Sequence, residues 1–272
     1  MLENELDFAI GLAREAGQEI LRLAQSEAQL EYKEDGELVT SIDKAVDTAI
    51  REAIQRKYPS DGILTEESLD DRSRLERARV WIIDPVDGTE ELKDYLKQPT
   101  DYPYFAVHIG LAIRGRAYLG VVDVPVLRET YSGVRGQCSF VDTGEKRYTL
   151  QVSNVRTTED ARVGICSPKR TKNIAAAQAI GFHDFHYVQS LGVKACFIAA
   201  GQLDAYITVS NGGTKEWDTC APSVIVEEAG GRVSDCYGNS ISYNKRDVHN
   251  HSGVLITNGF IHNQVVQRMP RI

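Results

Sequence analysis

Trp81-Ile82-Ile83-Asp84-Pro85-Val86-Asp87-Gly88-Thr89 sets an apolar strand directly against a turn that carries two carboxylates. Pro85 fixes its own φ and pushes Asp84 towards an extended conformation. The turn therefore throws Asp84, Asp87 and the Val86 carbonyl between them to one side. Gly88 and Thr89 then open a helix whose first backbone N–H groups suit a phosphate. Asp-Pro-x-Asp-Gly alone describes a polar turn between strand and helix; the whole nine-residue string is far more specific.

Two further acidic stretches extend the pattern: Glu66-Glu67-Ser68 upstream, and Glu216-Trp217-Asp218-Thr219-Cys220-Ala221-Pro222 far downstream. Each has an ordinary reading. Glu66 and Glu67 fit a solvated loop, and Asp218 fits the N-cap of a helix with Pro222 in its first turn. Asp43 fits a capping box with Thr40, a role compatible with catalysis. Taken together these carboxylates converge. Packed closely, they cannot all stay ionised without counter-charge, and hard dications with oxygen ligands supply it. The chain reads as a magnesium-dependent enzyme acting on phosphate.

Composition narrows the partners. The 272 residues are 42% hydrophobic, enough for a large core, and carry a formal net charge of -8 with no basic stripe. A nucleic-acid polymer is a poor partner, whereas a small phosphorylated substrate is admissible once metal ions invert the local field. Five scattered cysteines without a CxxC pair fit free thiols in a reducing compartment. The polar start Met1-Leu2-Glu3-Asn4-Glu5 is unlike a signal peptide. No apolar run reaches the roughly 20 residues of a membrane span. The expectation is a cytoplasmic protein with no membrane partner, a monomer being allowed. The six histidines show no metal spacing, and His249 with His251 reads as a loop pair.

Helical periodicity predicts a first helix over about 3–25 and a second from Thr40 to Tyr58, with a short hairpin, Leu30 to Lys33 and Gly36 to Val39, between them. Gly62 to Leu64 and Arg79 to Ile83 read as strands, and Asp70 to Arg79 as a charged surface loop. Strands follow at Phe105–Ile113, Ala117–Asp123, Glu129–Gly133 and Arg147–Val152, making a sizeable antiparallel sheet. From Val163 onward strands and helices alternate: Val163–Cys166, Asn173–Ile180, Val193–Ala200, Ala205–Thr208, Asp218–Ala229, Arg232–Ser234, Gly253–Thr257 and a terminal helix. The expected organisation is an N-terminal α+β half, residues 1–155, bearing the aspartate turn. A C-terminal α/β half, 156–272, bears the Trp-Asp motif and substrate contacts. The two are tightly fused.

The ordered motifs Leu38-Val39-Thr40-Ser41-Ile42-Asp43, Glu66-Glu67-Ser68, Asp84-Pro85-Val86-Asp87-Gly88-Thr89 and Trp217-Asp218 resemble those of the inositol monophosphatase superfamily, over nearly the whole chain. The resemblance implies an α/β (α+β) fold, a layered αβαβα sandwich with the active site between the halves. It also implies lithium sensitivity and two or three Mg2+ ions. Matched position by position, Glu66, Asp84, the Val86 carbonyl, Asp87 and Asp218 fall on metal ligands. Asp43 and Thr89 fall on the pair that orients the attacking water. Gly88 and Thr89 amides would face the phosphate.

Within the superfamily the chain is most similar to 3'(2'),5'-bisphosphate nucleotidases. The Glu216–Pro222 string, Glu91 after the aspartate turn, and Asp247-Val248-His249-Asn250-His251-Ser252-Gly253-Val254-Leu255 carry that likeness. Asn211 stands seven residues before Asp218, where inositol phosphatases often have an acidic inositol ligand. Glu90 replaces the usual lysine, the nucleotide loop is shortened to Gln189-Ser190-Leu191-Gly192-Val193-Lys194, and Ser167-Pro168-Lys169-Arg170 stands for a Ser-Arg-Ser-His-like segment. Ser190, Gly192, Lys194, Arg170 and Asp218 are the expected substrate contacts, Lys194 and Arg170 for a second phosphate or the ribose. The implied reaction converts adenosine 3',5'-bisphosphate to AMP and phosphate. The alternatives are an inositol or other sugar monophosphatase, and a non-catalytic metal or nucleotide sensor.

Overall fold

A computed structural model describes residues 2–25, 30–32, 38–97, 104–166, 171–209 and 213–270. The chain opens with α1 (Glu3–Leu23), the hairpin strands β1 (Leu30–Tyr32) and β2 (Leu38–Thr40), and α2 (Ser41–Lys57). Next come β3 (Gly62–Thr65), β4 (Arg79–Asp87) and α3 (Thr89–Lys97). Strands β5 (Ala106–Ile113), β6 (Arg116–Val124), β7 (Glu129–Val134), β8 (Ser139–Asp142) and β9 (Arg147–Thr149) follow in sequence. These complete a seven-stranded sheet in the order β3-β4-β5-β6-β7-β8-β9. It is antiparallel throughout except where β3 lies parallel to β4.

The second half contains β10 (Arg162–Ile165), α4 (Thr171–Ile180), β11 (Asp184–Tyr187), α5 (Leu191–Ala199), β12 (Ala205–Thr208) and α6 (Glu216–Glu228). It ends with β13 (Arg232–Ser234), β14 (Val254–Thr257) and α7 (His262–Arg268). Its five-stranded sheet runs β11-β10-β12-β14-β13, parallel across the first three strands and antiparallel beyond.

Burial on both faces of each sheet produces the layers. Trp81 and Ile83 point to the side covered by Ala9, Ala13, Ala16 and Ile20 of α1 and Ile42, Val46, Ile50 and Ile54 of α2. The alternate residues Val80 and Ile82 point the other way, towards Trp217, Cys220 and Val224 of α6. In the smaller sheet Tyr206, Val254 and Ile256 face α5 and α6. Val163, Ala205, Ile207 and Leu255 face Ala177 and Ile180 of α4 and Val265 of α7. The result is the expected αβαβα sandwich, with α5 and α6 as the shared middle layer.

Close approach explains the small residues at these contacts. A Cβ on Gly120 of β6 would lie 2.1 Å from the Ala221 carbonyl oxygen of α6. One on Gly110 of β5 would lie 2.7 Å from Cys220 Sγ. Helix α6 is therefore seated directly on the backbone of the larger sheet.

The loop from Asp70 to Arg79 is not wholly a surface feature. Arg74 is 1% exposed, paired with Asp70 and donating to Asn244 Oδ1 and the Lys245 carbonyl. Helix α6 starts at Glu216 rather than Asp218, which moves Pro222 out of the first turn and into the helix body.

Candidate active site and metal centre

The site forms where β3 and β4 end side by side. Thr65 pairs with Ile83 in parallel register, so Glu66 and Glu67 emerge next to Asp84. Along the other edge of β4, Asp84 pairs with His108 and Asp87 with Ala106. Pro85 and Val86 thus oppose Val107 alone, a one-residue bulge. Pro85 has no N–H to give the ladder, and the break re-aims both aspartates. The Val86 amide donates to Asp84 Oδ1 at 3.1 Å, closing the turn. Gly88 has φ +103, a left-handed conformation that favours glycine. A Cβ there would also press on Glu91 Oε2 at 3.0 Å and the Tyr104 carbonyl at 3.2 Å.

Asp43 sits in the first turn of α2, buried. Thr89 Oγ1, at the start of α3, donates to Asp43 Oδ1 at 3.1 Å and lies 3.3 Å from the Val86 carbonyl. The capping role considered for Asp43 involves the Thr40 side chain, which lies outside the described residues. Asp218 is the third residue of α6, and its Oδ2 accepts the Lys215 N–H. It therefore caps its own helix while facing the cluster.

Electrostatics mark these groups as one cluster. Asp84 is buried, and its carboxyl is raised well above the usual range by that burial, then by Glu66, Asp87, Asp218 and Glu67 in turn. Asp218 is pushed up to about 7, by burial first and by Glu66 next. Burial also works against Asp87, but His108, Ser190 and the Gly192 amide outweigh it and bring Asp87 down to about 2. The donors are all oxygen, Asp84 buried and Glu66, Glu67, Asp87 and Asp218 half-buried, and mutually repulsive, and they suit hard dications.

The expected substrate contacts divide. Gly88 and Thr89 lie at the N-terminus of α3, as expected. Ser190 Oγ and the Gly192 N–H each donate to Asp87 Oδ2 at 2.6 Å, so in this conformation they tie α5 to the cluster. Lys194 is a correction. It is 0% exposed; its Nζ donates to the Val188 carbonyl at 2.7 Å and to the Gln189 carbonyl, and lies over the Tyr206 ring. Its charge stitches the turn before α5 and does not face a substrate. Arg170 and Asn211 lie outside the described residues.

His108 and Asp47 escaped the sequence reading, and Glu91, noted there only for its likeness to the nucleotidases, was given no role in the site. His108 is fully buried in β5, its Nδ1 3.3 Å from the Trp217 carbonyl. Its Nε2 is 3.1 Å from Asp87 Oδ2, close enough to act by charge though not aligned as a hydrogen bond. Burial lowers the imidazole's affinity for a proton, but Asp87 more than offsets this, and the net shift is upward. Asp47, one turn after Asp43, accepts from Thr65 Oγ1 and Ser68 Oγ and so brackets the Glu66-Glu67 pair. Glu91 is raised to about 8 by burial, and its Oε2 has no hydrogen-bond partner.

Similarity to known proteins agrees with this architecture. The Nus factor SuhB of Pasteurella multocida is 33% identical over 242 residues, covering 86% of this chain and 85% of that protein. Inositol monophosphatase 1 of Sus scrofa is 31% identical over 255 residues, covering 89% and 87%. The solved structure of a Thermotoga maritima IMPase superposes with a TM-score of 0.79 at 27% identity, covering 97% and 96% of the two chains. The family description "Inositol monophosphatase family" matches residues 1–270. With the layered sandwich and ordered carboxylates in place, the chain belongs to the inositol monophosphatase family, a family of metal-dependent phosphatases.

Proposed function

We propose that this chain is a magnesium-dependent phosphomonoesterase whose preferred substrate is adenosine 3',5'-bisphosphate, cleaved at the 3' position to AMP and phosphate. The observation that carries the phosphatase reading is the Asp84 carboxyl, raised first by its burial and then by four acidic neighbours gathered around it. Such a cluster is stable as anions only around polyvalent cations. Glu66, Asp84, Asp87, Asp218 and the Val86 carbonyl would hold them. Magnesium, when bound, supplies Lewis acidity and counter-charge for the phosphoryl oxygens.

The chain's own groups do the rest. Thr89 donates its hydroxyl hydrogen bond to Asp43, which leaves the lone pairs of the Thr89 oxygen free to accept from a water. That water is thereby oriented for in-line attack on phosphorus. The amides at the start of α3 face the equatorial phosphoryl oxygens.

Support for a second phosphate comes from a different place than Lys194. A cleft of about 500 Å³ includes Glu66, Leu69, Arg72, Trp217, Arg246 and Val248 in its lining. Arg72 and Arg246 are exposed there and have the guanidinium forks that suit a phosphate. Leu69, fully exposed, offers apolar surface to a base. A second reading, an inositol or other sugar monophosphatase, is favoured by the similarity to the Sus scrofa enzyme.

Phosphate release from a small substrate panel, with and without magnesium, tests both readings. Adenosine 3',5'-bisphosphate should exceed inositol 1-phosphate in kcat/KM by at least about tenfold, or about 1.4 kcal/mol. Arg72→Ala/Arg246→Ala should lower the bisphosphate rate more than the monophosphate rate. A better rate with inositol 1-phosphate selects the second reading. Turnover that survives exhaustive chelation removes the metal-dependent mechanism altogether.

A further inference from the structure

Asp247, His249 and His251 form a group that the phosphatase chemistry leaves unused. His249 Nδ1 is 2.8 Å from Asp247 Oδ1, and His251 Nε2 is 2.7 Å from Asp247 Oδ2. The two imidazoles are tilted by 31° with centroids 5.6 Å apart. One ligand atom from each of the three residues lies within 4.8 Å of the other two, the only such His, Cys, Asp or Glu group among the described residues. The sequence reading of His249 and His251 as a loop pair is thus incomplete, because it leaves out Asp247, the residue between which both rings are shared.

The backbone below the group is fixed. His249 pairs with Lys215 in an isolated antiparallel bridge, and its carbonyl accepts from Lys245 Nζ at 2.9 Å. The buried Asn250 donates its N–H to the Thr214 carbonyl and its Nδ2 to the Lys215 carbonyl. Alternation then sets His249 and His251 on either side of Asn250, with both rings returning to one carboxylate. The His249 N–H also donates to Asp247 Oδ1.

We propose that Asp247, His249 and His251 form a second metal site, which takes a borderline transition-metal dication such as Zn2+, Co2+ or Ni2+. Two imidazoles and one carboxylate are the donor set such ions select, whereas Mg2+ prefers oxygen alone. Ligand bonds of about 2.0–2.2 Å are compatible with the present separations after small side-chain rotations. On binding, each ring nitrogen that now faces Asp247 gives its lone pair to the ion, and the one proton of each neutral ring sits on its other nitrogen. Three protein ligands leave a position for water or for an anion. Asp247 and His249 also line the cleft that holds Glu66 and Arg246, so the ion would sit on the rim of the cleft assigned to the substrate.

Titration calorimetry of the whole chain with NiCl2 or ZnCl2, in millimolar magnesium to occupy the carboxylate cluster, tests this. The wild type should bind one more ion than His249→Ala/His251→Ala, whose substituted side chains are solvent-accessible and whose fold should be intact by circular dichroism. Asp247→Asn, which keeps an acceptor for the loop but removes the charge, should bind that ion at least about tenfold more weakly. Visible absorption of the Co2+ form should report nitrogen ligation that is absent from the double variant. Equal stoichiometry in wild type and double variant overturns the proposal, as does a wild type that binds no ion beyond the magnesium-protected cluster.

Discussion

Single residues carry the chemistry, and they separate sharply by what their neighbours do to them. Asp84→Asn should abolish turnover by orders of magnitude while leaving the metal-free protein as stable as the wild type, or more so. The amide oxygen can still accept the Val86 N–H, and the substitution removes one charge from a cluster that repels itself. Phosphate release and thermal melting in chelator check both halves; a lower metal-free Tm would mean that Asp84 is held by attraction. Lys194→Met should behave oppositely. It leaves the Val188 and Gln189 carbonyls short of a donor, a loss of about 1–3 kcal/mol. Because the ammonium faces no substrate, kcat/KM for the bisphosphate and for a simple monophosphate should fall alike. The sequence placed Lys194 correctly at the start of a helix but gave no sign of its direction. That direction depends on Gly164 of β10, where a Cβ would stand 2.9 Å from the Lys194 Cδ. His108 was hidden for a similar reason: it lies in the apolar run from Phe105 to Ile113, which reads as core.

Elements were legible wherever their burial leaves a period in the sequence. Helices α1 and α2 bury one face each, and β4 to β7 are buried on both faces and rich in apolar or β-branched residues, so their existence and approximate bounds followed from pattern. Two strands did not. β11 is an edge strand with Asp184, His186 and Tyr187 exposed, so alternation is lost. β8 is only four residues long, ends in Asp142 and has one fully buried position. Helix α6 was placed two residues late because Glu216 looks like solvent-facing polar sequence. Its side chain is in fact 0% exposed, accepting the Asn244 and Lys245 amides. This gives Glu216 a structural task, holding Asn244 and Lys245 beside the cleft. The seating of α6 on the larger sheet is equally specific. Gly120→Ala puts a methyl 2.1 Å from a helix carbonyl that cannot rotate away. It should cost about 1–3 kcal/mol by overpacking. Because Asp218 rides on α6, turnover should drop along with the urea midpoint. Full activity with unchanged stability would show that α6 can slide without disturbing the cluster.

On the scale of the whole molecule, ordered motifs spread from Asp43 to Asp218 specify the fold, because only a sandwich with α6 in the middle brings them together. The cleft proposed for the substrate was much less legible. Arg72 and Arg246 come from loops that meet across the buried Arg74–Asn244 contact, and no local pattern joins them. Burying carboxyl groups, in the cluster and outside it, also has a thermodynamic signature. Asp84, Asp218, Glu91 and Asp123 all have raised carboxyl groups, the last three at about 7, 8 and 6. Between the unfolded carboxylate range, about 4, and those values the native state holds more protons than the unfolded chain. Stability of the metal-free protein should therefore fall as pH rises from about 4.5 to 8. His108, also raised, acts in the same sense as it loses its proton. His262, lowered to about 4, opposes only up to the unfolded imidazole range. Melting curves in chelator should show this decline, and saturating magnesium should flatten it by replacing protons as counter-charge. A metal-free Tm that climbs steadily to pH 8 would contradict the cluster's electrostatics.

The position of α6 between the sheets also sets a timetable for synthesis. The larger sheet is complete as sequence once Thr149 has been made, yet the helix that covers its second face begins only at Glu216. The 66 residues between those two positions take about 3–13 s to polymerise at roughly 5–20 residues per second. For that interval Val80, Ile82 and Ala112 belong to a nascent sheet whose eventual cover has not left the ribosome. A chain of this design depends on its early half staying unaggregated until the late half arrives, and chaperone occupancy of stalled nascent chains should peak between those two lengths.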